Sequence, residues 1–80
     1  MATKNPRNEE LIKLFGKNVR KYREKKGITM LQLAYACNVE YSTISTIERA
    51  IVNCSLSTAH SIAQALDISL DKLTSEDKIE

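Results

Sequence analysis

Residues 27–49, GITMLQLAYACNVEYSTISTIER, decide the fold of this 80-residue chain. Gly27 predicts the end of a preceding helix, and Thr29 followed three residues later by Gln32 matches a capping box, a pattern typical of a helix start. Two sets of apolar residues at helical spacing follow: Met30, Leu33, Ala34 and Cys37, then Val39, Ile44 and Ile47. Asn38, between them, tolerates the left-handed backbone of a tight turn. The segment therefore predicts two short helices joined by a turn.

Further amphipathic helices are predicted on both sides of this segment. On the N-terminal side, Asn8 can cap a helix that begins near Glu9, with an apolar face made of Leu11, Ile12, Phe15, Val19 and Tyr22. On the C-terminal side, Ser55 can cap a fourth helix that Asp67 closes, with an inner face made of Leu56, Ala59, Ile62, Ala63 and Leu66. Ser69 can cap a last short helix through Leu70 and Leu73. The expected fold is all-α, with five helices.

Length and composition are typical of one globular domain. The chain is 42% hydrophobic and 28% charged, and its 2 Gly, 1 Pro and 5% aromatic residues are too few for a small β-sandwich or barrel. We expect a mobile arm at residues 1–8, a single domain at residues 9–74 and a frayed tail at residues 75–80. No apolar run approaches the roughly 20 residues that cross a bilayer, so a soluble cytoplasmic protein that does not associate with membranes is expected.

The charge is unevenly distributed along the chain. Residues 1–26 carry nine Lys or Arg against three Glu, a net charge of +6, whereas the remainder carries a net charge of −4. The basic N-terminal part is suited to an anionic partner, although a solvated lysine-rich helix face would look the same.

The sequence gives little support for catalysis or metal binding. Cys37, Cys54 and His60 could be proposed as metal ligands, but their spacing matches no common zinc motif. There is no glycine-rich phosphate loop and no nucleophile with an obvious base. We interpret both cysteines as small, reduced, buried side chains, and we expect no enzymatic activity, metal, cofactor or small-molecule ligand.

A spaced pattern over residues 11–73 resembles the phage repressor and Cro-like helix-turn-helix family, also called the xenobiotic-response-element type. The pattern consists of Gly27-Ile28-Thr29, Leu33-Ala34, Asn38-Val39, Ile44-Ser45, Ile47-Glu48-Arg49, Ser55-Leu56 and Ile62-Ala63-Gln64-Ala65-Leu66. The resemblance implies a compact five-helix, lambda-repressor-like domain in which helices two and three form the helix-turn-helix. It also implies a homodimer that binds double-stranded DNA at an inverted repeat and regulates transcription at the nucleoid. Small stand-alone members include restriction-modification controller proteins, phage repressors and antitoxins, of which a controller-like role fits best.

The third helix is the DNA-reading helix in this resemblance. Because the major groove of B-DNA admits one α-helix, its outward side chains are the candidates for base readout: Tyr41, Ser42, Ser45 and Thr46. Thr43 is assigned to a phosphate. Hydroxyl groups bond to several bases, so specificity is expected to draw on Tyr41 packing against a thymine methyl or on DNA shape.

The remaining DNA contacts are expected to be with phosphates, through positive side chains and a helix N-terminus. The candidates are Arg23, Lys26, Thr29, Met30, Arg49 and Asn53. By the resemblance, Arg23 also forms a structural ion pair with Glu48, which would fix its guanidinium plane. The family usually has Gln at the position of Met30, so that contact is lost here or is made by Thr29 and the backbone.

Three further positions depart from the family pattern. Gly is usual where Asn38 and Ala50 stand, and Pro is frequent where Cys54 stands. Asn38 is a mild change, but Ala50 either adopts an unfavourable left-handed backbone or changes the exit from helix three.

The C-terminal helices bear on assembly. Leu66, Ile68, Leu70 and Leu73 are more apolar side chains than a terminal turn needs, so they are predicted to form a dimer interface, although any of them could instead close the monomer core. Two readers about 34 Å apart would meet successive major grooves. A different class of function also stays open, namely a protein-interaction module, such as an antitoxin or adaptor, with secondary DNA binding.

Overall fold

The computed structural model describes residues 7–76, which form five α-helices and contain no β-strand. The helices are α1 (Glu9–Lys26), α2 (Met30–Cys37), α3 (Tyr41–Glu48), α4 (Leu56–Leu66) and α5 (Leu70–Thr74). The all-α, five-helix prediction is therefore confirmed. Most of the predicted arm (1–8) and of the predicted tail (75–80) lies outside the described residues.

The helix boundaries follow from the predicted caps. The Asn8 side chain accepts a hydrogen bond from the backbone N–H of Leu11 at 3.0 Å, and Ser55 caps α4 in the same way. Thr29 and Gln32 form the complete capping box, with bonds of 2.8 and 3.0 Å. Gly27 ends α1 in the left-handed region, at φ 76°, and Asn38 does so for α2, at φ 59°. These short-range signals fix where the chain turns.

A single hydrophobic core lies between the helices. Helix α3 packs against α1 and α2, α2 packs against α4, and α5 packs against α1 and α4. The core consists of Phe15, Val19, Leu33, Ala34, Cys37, Ile44, Ile47, Ala59, Ile62, Ala63, Leu66 and Leu73. All five helices contribute to it, so the helix-turn-helix formed by α2 and α3 depends on the whole domain for its geometry.

Two residues assigned to the inner faces of helices are instead on the surface. Leu11 is 40% exposed and Leu56 is 75% exposed. Each lies in the first turn of its helix, where the packing of α1 with α4 and α5 ends. Helical spacing identifies the apolar face of a helix but not where its packing ends, so the prediction that these two leucines are buried was wrong. Cys54, predicted to be buried, is half-buried against the core, whereas Cys37 is buried as expected.

Two of the four residues predicted at a dimer interface belong to the monomer core. Leu66 is 4% exposed and Leu73 is fully buried, because α4 and α5 close the core with these side chains. They are not available to a second subunit. Ile68 and Leu70 are half-buried and pack at the edge of the core.

A close contact between α1 and α3 fixes the position of α3. A Cβ atom at Gly16 would lie 2.3 Å from the carbonyl oxygen of Ile47 and 3.2 Å from that of Glu48, so only glycine fits. Gly16 is buried in the middle of α1. The C-terminal turn of α3 therefore rests directly on the backbone of α1.

Within residues 7–76, no helix combines the length and the apolar character that a bilayer-spanning segment needs.

Candidate nucleic-acid interface

Helix α3 has a buried apolar side and an accessible hydroxyl-rich side. Ile44 and Ile47 are 0% and 2% exposed and anchor the helix in the core. The side chains predicted to read bases lie on the other sides: Tyr41 and Ser42 are exposed, and Ser45 and Thr46 are half-buried. Thr43, predicted at a phosphate, is also half-buried. The structure thus brings the predicted base-reading residues onto one accessible helix surface.

The hydroxyl groups on this surface differ in their hydrogen bonding. Thr46 Oγ1 donates to the carbonyl oxygens of Ser42, at 2.8 Å, and Thr43, at 3.2 Å, in the preceding turn. Ser45 Oγ accepts a hydrogen bond from Arg49 Nε at 3.3 Å. For Ser42, the hydroxyl has no hydrogen-bond partner among residues 7–76. Ser42 therefore retains its donor, whereas the donor of Thr46 is already used.

The predicted ion pair between Arg23 and Glu48 is present and joins α1 to the end of α3. Arg23 Nε donates to Glu48 Oε2 at 2.6 Å, and Nη2 donates to Oε1 at 3.0 Å, a two-point contact between planar groups. Only 11% of the Arg23 side chain and 6% of the Glu48 side chain are exposed. Arg23 Nη1 also donates to the carbonyl of Ile28 at 2.9 Å. The hydrogen bond to Glu48 raises the pKa of Arg23, so the guanidinium stays charged throughout the physiological range.

The N-terminus of α2 offers donors that the capping box does not use. The backbone N–H of Thr29 donates to Gln32 Oε1, and its hydroxyl oxygen accepts from the backbone N–H of Gln32, which leaves the hydroxyl hydrogen able to bond to a phosphate. The Met30 side chain packs against the core, so only its backbone N–H, at the first position of α2, can meet an anion.

The remaining predicted phosphate contacts lie at three other chain positions. Lys26 is exposed at the end of α1, Arg49 is exposed just after α3, and Asn53 is exposed in the loop before α4. Since the Arg23–Glu48 pair joins the ends of α1 and α3, it also holds together the chain segments that carry Lys26, at the end of α1, and Arg49, just after α3.

The loop after α3 is held in an unusual backbone conformation. Ala50 has φ 61°, the left-handed conformation that the glycine usual in the family would adopt without strain. For alanine this conformation costs about 1 kcal/mol. Arg7 Nη2 donates to the carbonyl of Ile51 at 3.3 Å and its Nε pairs with Glu9 at 2.7 Å, so the start of the described chain is tied to this loop.

Sequence reasoning missed three residues that shape the domain: Gly16, Asn18 and Arg7. Glycine in the middle of an otherwise strong helix was a usable signal for Gly16, because glycine weakens helices and is retained where backbones approach closely. Asn18 is 1% exposed, and its Nδ2 donates to the carbonyls of Lys72, Leu73 and Ser75 at 3.0 to 3.3 Å. No local pattern indicates a partner more than fifty residues away.

The candidate metal ligands are not gathered into a site. Across the part of the chain that the structure describes, no three His, Cys, Asp or Glu side chains are grouped to hold an ion. Burial raises the pKa of both the Cys37 and the Cys54 thiol, which disfavours the thiolate that binds metals.

Fold and surface together define a helix-turn-helix DNA-binding domain. The sequence model of the Helix-turn-helix family matches residues 19–73, and the chain belongs to that family of DNA-binding transcription regulators, which confirms the resemblance described above. No curated protein sequence matches the chain significantly.

Several solved structures are similar to this chain over most of its length. The restriction-modification controller protein C.AhdI from Aeromonas hydrophila is 32% identical, with a TM-score of 0.75 over 78% of this chain and 94% of the controller. The N-terminal DNA-binding domain of SinR from Bacillus subtilis is 31% identical, with a TM-score of 0.74 over 79% and 93%. The clp gene regulator ClgR from Corynebacterium glutamicum is 30% identical, with a TM-score of 0.76 over 79% and 67%.

Proposed function

We propose that this protein is a small transcription regulator that binds a specific double-stranded DNA sequence as a homodimer at an inverted repeat. It acts in the cytoplasm, at the nucleoid, with residues 9–74 as the DNA-binding domain. One observation carries the proposal: α3 presents Tyr41, Ser42 and Thr46 on an accessible surface while its other side is fixed to the core. A rigid helix with exposed polar side chains suits insertion into a major groove.

The groups around α3 support phosphate binding on either side of that groove. Arg23 is held in one orientation by Glu48, and the start of α2 offers the Thr29 hydroxyl and the Met30 backbone N–H. Phosphate contacts fix the position of a protein on the duplex, and base contacts select the sequence. We assign Lys26, Thr43, Arg49 and Asn53 to further phosphate contacts.

Homodimer formation is supported by an apolar surface between α1, α4 and α5. Leu11, Val52, Leu56 and Leu70 line a cavity of about 250 Å³ between α1, α4 and α5, and Leu56 is 75% exposed. Exposed apolar surface of this kind is stabilised by a partner. A second copy packed here would contact Leu70, one of the residues predicted at the interface, with Ile68 at the edge of the core. A controller-like role follows from the similarity to C.AhdI, which is a restriction-modification controller.

The salt dependence of DNA binding tests the proposal. Affinity for duplex DNA should fall steeply as salt rises, because phosphate contacts release counterions. Lys26→Ala, which removes an exposed positive charge assigned to a phosphate, should weaken binding to every sequence and flatten the salt dependence, whereas Thr46→Ala should change preference at one base position. Lys72→Ala, which removes an exposed positive charge from α5, is the matched control and should change neither. Equal effects of Lys26→Ala and Thr46→Ala on all sequences would contradict the assigned roles.

A second candidate function, a protein-interaction module, is favoured by one observation on α2. Leu31 is 63% exposed and Tyr35 is 89% exposed, and together with Tyr41 they line a shallow apolar groove. A module whose main partner is a protein would bind that partner with little response to salt. A folded protein that shows no salt-dependent affinity for duplex DNA would therefore favour this second function.

A further inference from the structure

Thr46 lies on the accessible surface of α3, one helical turn after Ser42. Residues four apart share a helix face, and the buried Ile44 and Ile47 mark the opposite side. The Thr46 hydroxyl donates to the carbonyls of Ser42 and Thr43, at 2.8 and 3.2 Å. A hydroxyl carries one hydrogen, so these two bonds share it.

This hydrogen bonding separates Thr46 from Ser42 chemically. To donate to a base, Thr46 would have to break a 2.8 Å bond to its own helix, whereas the Ser42 hydroxyl has no partner among the described residues. With its hydroxyl turned to the backbone, Thr46 offers the groove a methyl group. Ser42 and Thr46 are thus neighbours on one surface that present different chemistry.

We infer that Thr46 determines specificity through its methyl group, by packing against the 5-methyl group of a thymine. This inference rests on the proposed DNA-binding function and names the base that one α3 residue selects. Thymine is the base with an apolar group on its major-groove edge, and the other bases present hydrogen-bond donors and acceptors. The Thr46 methyl group therefore makes its most favourable apolar contact with a base that carries a methyl group.

The test uses the full chain and the DNA site that it selects from random duplexes. Each thymine of that site is replaced in turn by deoxyuridine, which removes only the 5-methyl group. Affinities are measured for the unaltered protein, Thr46→Val and Thr46→Ser, with Ser42→Ala as the matched control. Valine keeps the methyl group without the hydroxyl, and serine keeps the hydroxyl without the methyl group. Thermal unfolding of each variant verifies that it folds.

One thymine in each half-site should be sensitive to Thr46. The affinity of the unaltered protein and of Thr46→Val should fall about fourfold when that thymine is replaced by deoxyuridine in one half-site. This factor corresponds to the burial of one methyl group. Thr46→Ser lacks the methyl group in both subunits, so it should bind the thymine site about sixteenfold more weakly and should not distinguish the two bases. Ser42→Ala should leave the dependence on that methyl group intact.

Two results would overturn the inference while the proposed function stands. The first is normal DNA affinity of the Thr46→Ser variant together with weakened affinity of the Thr46→Val variant. This result would assign base readout to the Thr46 hydroxyl group. The second is a loss of affinity on deoxyuridine substitution that is the same, at every thymine of the selected site, for the unaltered protein, Thr46→Val and Thr46→Ser. If the folded protein selects no site from random DNA, the proposed function fails and the inference fails with it.

Discussion

The two sides of α1 hold the rest of the domain in different ways. Gly16 packs directly on the last turn of α3, and Asn18, about 200° further around the helix, contacts α5. On the α3 side the contact is tight and includes the buried pair of Arg23 and Glu48. On the α5 side a five-residue helix is held by the buried Leu73 and by the Asn18 amide group, and the exposed Leu56 lines the same cavity as Leu70 of α5. Helix α3 is therefore fixed within the monomer, whereas the α5 side leaves apolar surface exposed, which the proposed homodimer would cover.

Removing the charged partner on the α3 side should have the largest effect. Glu48→Ala leaves the Arg23 guanidinium nearly buried without its carboxylate, so the free energy of unfolding should fall by about 3 kcal/mol. Chemical denaturation measures this change. Glu24→Ala is the matched control, since Glu24 pairs with Arg20 at the surface, where both side chains are more than half exposed. The exposed pair should contribute about 0.5 kcal/mol or less. Equal losses of unfolding free energy in the two variants would show that the buried pair contributes no more to stability than the exposed pair.

Adding one methyl group at the α1–α3 contact should have the next largest effect. In Gly16→Ala the new Cβ meets the carbonyl oxygen of Ile47 at 2.3 Å, so α3 must shift, and stability should fall by about 2 kcal/mol. The same denaturation experiment measures the change, with Lys17→Ala at the adjacent exposed position as the control. A more stable Gly16→Ala protein, as helix propensity alone predicts, would refute the close contact.

Releasing α5 should cost less. Asn18→Ala removes three hydrogen bonds to the carbonyls of α5 and the residue after it, so stability should fall by about 1.5 kcal/mol. Hydrogen exchange should show faster exchange in α5 than in α3, because the loss is confined to the α5 side. Asn53→Ala, an exposed asparagine, is the control and should change little. Uniformly faster exchange across the domain would show that the two sides of α1 are not independent.

Truncating the exposed leucine beside α5 should change assembly more than folding. Leu56→Ala should alter the stability of the monomer by less than about 0.5 kcal/mol, because the side chain is 75% exposed. The homodimer should dissociate about tenfold more readily, as sedimentation equilibrium would show. Leu31→Ala removes a comparably exposed leucine from α2 and should leave the dimer unchanged. Equal weakening by both substitutions would move the interface away from α5.

The parts of the fold that the sequence predicts well are those set by local chemistry. Asn8, Thr29 with Gln32, and Ser55 cap their helices through bonds to residues three positions along the chain. Such patterns need no knowledge of the tertiary structure. Ala50 is different, because the sequence left open whether it adopts the left-handed backbone or changes the exit from helix three, and only the structure, with φ 61°, decides for the former.

The parts that the sequence predicts poorly depend on where the packing ends. Leu56 and Leu73 are both leucines at helical spacing, yet one is 75% exposed and the other is fully buried. Only the positions of α4 and α5 relative to α1 decide between them. The Arg23–Glu48 pair could be predicted through the resemblance, whereas the role of Asn18 could not, because its partners lie at the other end of the chain.

Selection of binding sites from random duplex DNA by the purified protein, followed by sequencing, tests whether α3 reads a specific DNA sequence. We expect an enriched inverted repeat with half-site centres about 34 Å apart, the spacing of successive major grooves on one side of B-DNA. Enrichment of no sequence by a folded protein would contradict the claim that α3 reads DNA, and would favour a protein partner at the groove lined by Leu31 and Tyr35.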